Sequence, residues 1–112
     1  MIVEKRHVEG MTLLCVEGII KLGESAAFLA DTLKRALEKD DGHVLLDLSQ
    51  INYIDSTGIG ELVGYLTHFQ GQNRKLILIN PSARITKLLE VAQIISLFPI
   101  YDDLDAALAA EG

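Results

Sequence analysis

Two spacings of apolar residues alternate along this chain, one suited to strands and one to helices. Met1 to Val8 and Met11 to Ile20 are rich in Val, Ile, Leu and Thr and read as extended. Glu9-Gly10 between them predicts a two-residue hairpin, with Gly10 free to take a positive φ. Glu4, Lys5, Arg6 and His7 mark the first strand as partly exposed, and Leu13-Leu14-Cys15-Val16 marks the second as covered on both faces. Leu29, Leu33, Ala36 and Leu37, with Phe28 on the flank, predict a helix over Glu24 to Lys39. Asp31 with Arg35 and Lys34 with Glu38 stand four apart on its solvated face, and Asp40-Asp41-Gly42 ends it.

His43 to Leu48 reads as a buried strand and Ser49 to Asp55 as a connection. Ile59, Leu62, Val63, Leu66 and Phe69 make the inward stripe of a helix over Ser56 to Gln70, broken by Gly71-Gln72-Asn73. Leu76 to Ile79 is a second buried strand. Ser82 is the N-cap of a helix whose inward residues are Ile85, Leu88, Leu89 and Ala92. Leu97 to Ile100 reads as a short last strand, with Pro99 favouring an edge or a strand end. Asp102-Asp103 opens a final helix that turns Leu104, Ala107 and Leu108 inward. Strands alternating with helices imply parallel pairs joined by right-handed crossovers. The expectation is an α/β fold: one mixed sheet of four to five strands, about four helices mainly on one face, and a single domain over residues 1–112.

Charge and composition narrow the function. Ten Lys and Arg against sixteen Asp and Glu give a net charge of −6, and the basic residues form only doublets. A nucleic-acid partner, which needs clustered positive charge, is not expected, nor is docking to anionic lipid. The one cysteine, Cys15, allows no intrachain disulfide and suits a reducing compartment. The uncharged run from Val91 to Tyr101 has 11 residues, short of the roughly 20 that a membrane span needs. The expected compartment is the cytoplasm. His7, His43 and His68 fall in different elements, and no metal-ligand spacing or P-loop is present, so neither a metal nor a cofactor is expected.

The most informative segment runs from Leu46 to Gly60, where a buried strand ends, a polar connection passes over Tyr53 and Ile54, and Asp55-Ser56-Thr57-Gly58 starts a helix. Asp55 or Ser56 supplies the N-cap, since either side chain can accept from the first free backbone N–H groups. Gly58, Gly60 and Gly64 each weaken the helix by roughly 1 kcal/mol against alanine. They leave room for another backbone, either this protein's own strands or a partner. A dinucleotide fingerprint is a near miss: the connection is long, and Asn80 stands where that motif has an acid. A hydrolytic Ser56 has no base in reach along its helix. His68 lies twelve residues on, about 18 Å at ~1.5 Å per residue.

The chain resembles the STAS domains (sulfate transporter and anti-sigma factor antagonist), and among them the bacterial anti-sigma factor antagonists. The resemblance covers essentially the whole chain and is most specific at Asp55-Ser56-Thr57-Gly58-Ile59-Gly60, which matches the family's phosphorylation motif Asp-Ser-Ser/Thr-Gly-Leu/Ile-Gly. It implies a binding module that is not an enzyme. Ser56 would be phosphorylated, with Thr57 the rival, by an anti-sigma factor serine kinase of histidine-kinase-like ATPase fold. The unphosphorylated chain would bind that kinase and free its sigma factor, and phosphorylation would release it. A metal-dependent serine phosphatase would reset the switch. Asp55, Ser56, Thr57, Gly58, Ile59, Gly60 and Gly64 would form the partner surface, with Asp55 capping and orienting the serine. The alternative is a STAS subunit or regulator in another assembly, such as a lipid-transport complex or the control of a phosphatase or cyclase. A monomer and a weak dimer through the first strand's edge both remain open.

Overall fold

The computed structural model describes residues 1–112. Strand β1 (Ile2–Val8) turns into β2 (Met11–Ile20), then α1 (Glu24–Lys39), β3 (Val44–Ile54), α2 (Ser56–Gln70), β4 (Leu76–Ile79), α3 (Ala83–Val91), β5 (Ile100–Tyr101) and α4 (Leu104–Glu111). The five strands lie in the order β1-β2-β3-β4-β5. β1 is antiparallel to β2, and every other pair is parallel. Glu9 and Gly10 both take positive φ at the hairpin, as its two-residue turn requires.

The topology sets the layers. Each parallel crossover advances one strand in the same direction, so three right-handed crossovers deliver α1, α2 and α3 to one face. That face holds the main core, with Leu14, Val16, Ile20, Leu29, Leu33, Leu46, Leu62, Phe69 and Leu78 among its buried members. No strand follows α4, so nothing returns it to that side. It covers part of the opposite face, where Ala107 is buried with Met11, Leu13, Leu45, Ile77 and Ile79.

Three expectations shift. The segment Ser49 to Ile54 is not a connection but the second half of β3. Its strand period is disguised by register shifts against β2, between Cys15 and Glu17 and between Gly18 and Ile19. At each shift β3 carries an extra residue, so the buried positions run Val44, Leu46, Leu48 and then Ile51 and Ile54. The last strand is Ile100–Tyr101, and Ile95–Leu97 forms a 3₁₀ turn before it. On α2 the fully buried residues are Gly58, Leu62, Leu66 and Phe69, with Ile59 and Val63 half-buried on the flanks.

β4 pairs only with Val44 to Asp47 of β3. The rest of β3 therefore projects past β4 with only β2 beside it. This two-stranded ribbon carries the candidate site at its carboxyl end, the usual end for binding in sheets of this kind.

Candidate functional site

The site begins where buried Ile54 ends β3 and the chain turns directly into α2. Asp55 is the N-cap, in extended conformation with φ −92° and ψ −178°. One carboxylate oxygen, Oδ1, accepts the Gly58 N–H at 3.0 Å. The other, Oδ2, accepts the Leu22 N–H at 2.8 Å, across to the turn between β2 and α1. The Asp55 backbone adds two bonds: its N–H donates to Ile20 O at 3.0 Å, and its carbonyl accepts the Ile59 N–H at 2.9 Å. The Gly58 N–H foremost, then the Leu22 N–H, hold the Asp55 carboxyl below the usual carboxylate range.

A helix start leaves four backbone N–H groups without intrahelical acceptors. Those of Asp55 and Gly58 have partners and that of Thr57 faces the Asp55 carboxylate, which leaves the Ser56 N–H free at the positive end of the helix dipole. Ser56 is the first helical residue and is exposed, whereas Thr57 is half-buried. Ser56 is thus the more exposed of the two hydroxyl residues in the motif.

The glycines divide. A Cβ on Gly58 would stand 2.5 Å from Ile20 Cγ2 and 2.7 Å from Ile54 Cγ1, so this glycine lets α2 sit against the strand ends. Gly60 and Gly64 would meet nothing within 4 Å and are exposed. With Ser56 they follow each other at four-residue steps, forming a smooth outward stripe along α2. Ile59 is half-buried against the core.

The flanks of the site include residues that the sequence pattern did not assign to it. Leu22 is 76% exposed, Ile19 48% and Phe28 45%, all large apolar side chains beside the Asp55-bound turn. With Met1, Lys21, Glu24, Ser25 and Ala27 they line an open groove of about 850 Å³. The available signals were an apolar residue before Gly23 and a phenylalanine off the inward stripe. On the other side, the Arg84 guanidinium of α3 stands over the Tyr53 ring, 5.5 Å from its centroid. The three histidines do not converge here: His68 lies against Tyr65 late in α2, and His43 Nδ1 accepts the Lys75 N–H at 3.0 Å.

The family model described as STAS domain matches residues 3–107, nearly the whole chain. The chain belongs to the STAS domain family. This STAS domain is 36% identical over 77 residues to the anti-sigma-B factor antagonist of Listeria monocytogenes, covering 65% of this chain and 68% of that one. Its fold is similar to a crystal structure from Thermotoga maritima, with TM-score 0.89, 20% identity, and coverage of 97% and 93% of the two chains. It is also similar to the Bacillus cell fate determinant SpoIIAA in its phosphorylated form, with TM-score 0.74, 13% identity, and coverage of 97% and 98%. The STAS fold accounts for the sheet order and helix placement. It brings Asp55, Ser56, Thr57, Gly58, Ile59 and Gly60 to one corner, with Gly64 continuing the outward stripe. No helix of this domain is long and apolar enough to cross a membrane.

Proposed function

We propose that this STAS domain is an anti-sigma factor antagonist that works by partner switching. Unphosphorylated, it binds an anti-sigma factor serine kinase with a histidine-kinase-like ATPase fold, and so frees the sigma factor. Phosphorylation on Ser56 releases the kinase, and a metal-dependent serine phosphatase restores the binding form. In this reading the chain is a binding module and not an enzyme, and it acts in the cytoplasm, where ATP and sigma factors meet. The observation that carries the proposal is the exposed Ser56 as the first residue of α2, beside an aspartate whose two oxygens already hold other groups.

The physics of the corner supports a switch without refolding. A phosphate adds about −1.5 to −2 charge at neutral pH. The free Ser56 N–H can receive it at the positive end of a 15-residue helix, so the domain tolerates it. Asp55 is committed to Gly58 and Leu22 and adds a like charge next door. The new anion thus stands on the contact surface, where a partner must desolvate it or meet it with a countercharge. Moving an affinity from about micromolar to about millimolar takes ~4 kcal/mol, within reach of one mismatched charge.

The test is a pull-down with the immobilised domain, run with ADP and then with ATP, and mass spectrometry of bait and retained proteins. The expected result is a histidine-kinase-like ATPase retained with ADP and lost with ATP as one phosphoryl group appears on Ser56. Retention of transporter subunits by an unmodified bait under both nucleotides would overturn the switch.

A further inference from the structure

We infer that Asp55 is a positioning residue: its second carboxylate oxygen fixes the turn between β2 and α1, so that Leu22 is presented beside Ser56 to the same partner. The inference rests on the partner-switching reading for what binds, and on this chain's own bonds for the positioning.

The turn holds Leu22 by its main chain and not by its side chain. Lys21 is tied to the start of α1, its N–H donating to Ser25 Oγ at 2.9 Å and its carbonyl accepting from Ala26 N at 3.1 Å. Gly23 follows with φ +112°, a conformation that leaves the turn no β-carbon to wedge in place. The Leu22 side chain is 76% exposed, so burial contributes little to where it stands. Gly23 O accepts the Ala27 N–H at 3.1 Å, so both neighbours of Leu22 are tied to α1, and the tie from Leu22 itself to α2 is its N–H, bonded at 2.8 Å to Asp55 Oδ2. A bond to an ionised oxygen is stronger than one between neutral groups. One carboxylate therefore caps α2 with Oδ1 and steadies the turn with Oδ2.

The aspartate's two oxygens can be separated chemically. In Asp55→Asn the remaining oxygen can still cap Gly58, since asparagine is among the best N-caps. Its amide nitrogen is a donor and cannot accept from Leu22. The backbone bond from Asp55 N–H to Ile20 O is untouched by the substitution. In the isolated chain, amide exchange at Leu22 should quicken about tenfold or more, well beyond any change at Gly58, with the melting midpoint lowered only slightly by loss of the ionised cap. Faster exchange throughout α2 would mean a merely structural role, and unchanged exchange at Leu22 would remove the latch; either overturns the inference.

The second measurement is a double-mutant cycle against the ATPase recovered with ADP in the pull-down above. Leu22→Ala and Asp55→Asn should each weaken binding about tenfold, and the double variant should lose little more than either alone. Fully additive losses would mean that Asp55 does not act through Leu22. If the wild-type chain retains no such ATPase, the partner-switching reading fails on its own terms. The exchange experiment still decides whether Asp55 fixes the turn.

Discussion

Gly58 and Gly60 share a helix turn but not an environment. Gly58 faces Ile20 and Ile54 with no room for a methyl group, and Gly60 faces open space. Gly58→Ala should therefore destabilise the domain by about 1–3 kcal/mol through overpacking, despite alanine's better helix propensity. Gly60→Ala should be neutral or stabilising by up to about 1 kcal/mol, while placing a methyl on the outward stripe beside Ser56. Urea denaturation of the two variants checks the contrast, and equal effects would mean that the helix is seated differently on the strands. The motif's residue types made the cap legible in advance, because an aspartate before Ser-Thr-Gly has free N–H groups within reach. They could not reveal that Gly58 is the internal glycine and Gly60 and Gly64 the external ones. That depends on how α2 rolls on the sheet. Nor could they reveal the bond from Asp55 to Leu22, which joins residues 33 apart in sequence.

Arg74 shows how an element can depend on a residue far outside it. It reads as half of a basic doublet, yet it is only 7% exposed and caps the carboxyl end of α1. Its guanidinium donates to Ala36 O at 3.2 Å, Leu37 O at 2.9 Å and Gly42 O at 2.8 Å, and packs on the Phe69 ring at 4.8 Å. Carbonyls at a helix end lack intrahelical donors, and a cation there also meets the negative end of the dipole. Arg74→Met should cost about 1–3 kcal/mol by leaving the half-buried Leu37 and Gly42 carbonyls without this donor, while Ala36 O keeps the Asp40 N–H. Arg74→Lys should recover only part, since an ammonium cannot spread donors across three carbonyls as the guanidinium fork does. Chemical denaturation of both variants measures this, and full recovery by lysine would show that charge alone matters. Periodicity made most elements legible: the inward residues Leu29, Leu33 and Ala36 of α1 and Leu62, Leu66 and Phe69 of α2 are buried as expected. It failed in the second half of β3, where two extra residues space Leu48, Ile51 and Ile54 by threes and hide the strand.

The whole molecule is a sheet covered mainly on one face and partly on the other, with α4 pinned by its last turn. Glu111 accepts from Lys75 Nζ and from Tyr101 Oη, both at 2.7 Å. The Lys75 bond foremost holds its carboxyl below the ordinary value of 4.5, against the burial that would raise it. A depressed carboxyl stabilises the fold above its unfolded value, and that stability is lost as pH falls through the lower folded value. Glu111→Gln should therefore be less stable than wild type by about 1 kcal/mol at neutral pH. The gap should close as the pH drops below about 4.5, read from urea midpoints across the acid range. A gap that stayed constant with pH would mean that the carboxylate charge plays no part. The site, at the other end of β3, keeps the free edge of its projecting ribbon and the outward face of α2, so a charge can be added there without disturbing this frame. The decisive measurement is calorimetric titration of the retained ATPase with the Ser56-phosphorylated chain and with the unmodified chain. A loss of affinity of about a hundredfold or more on phosphorylation, at an unchanged melting temperature, is expected from a charge placed on the contact surface. Equal affinity of the two forms would contradict the switch.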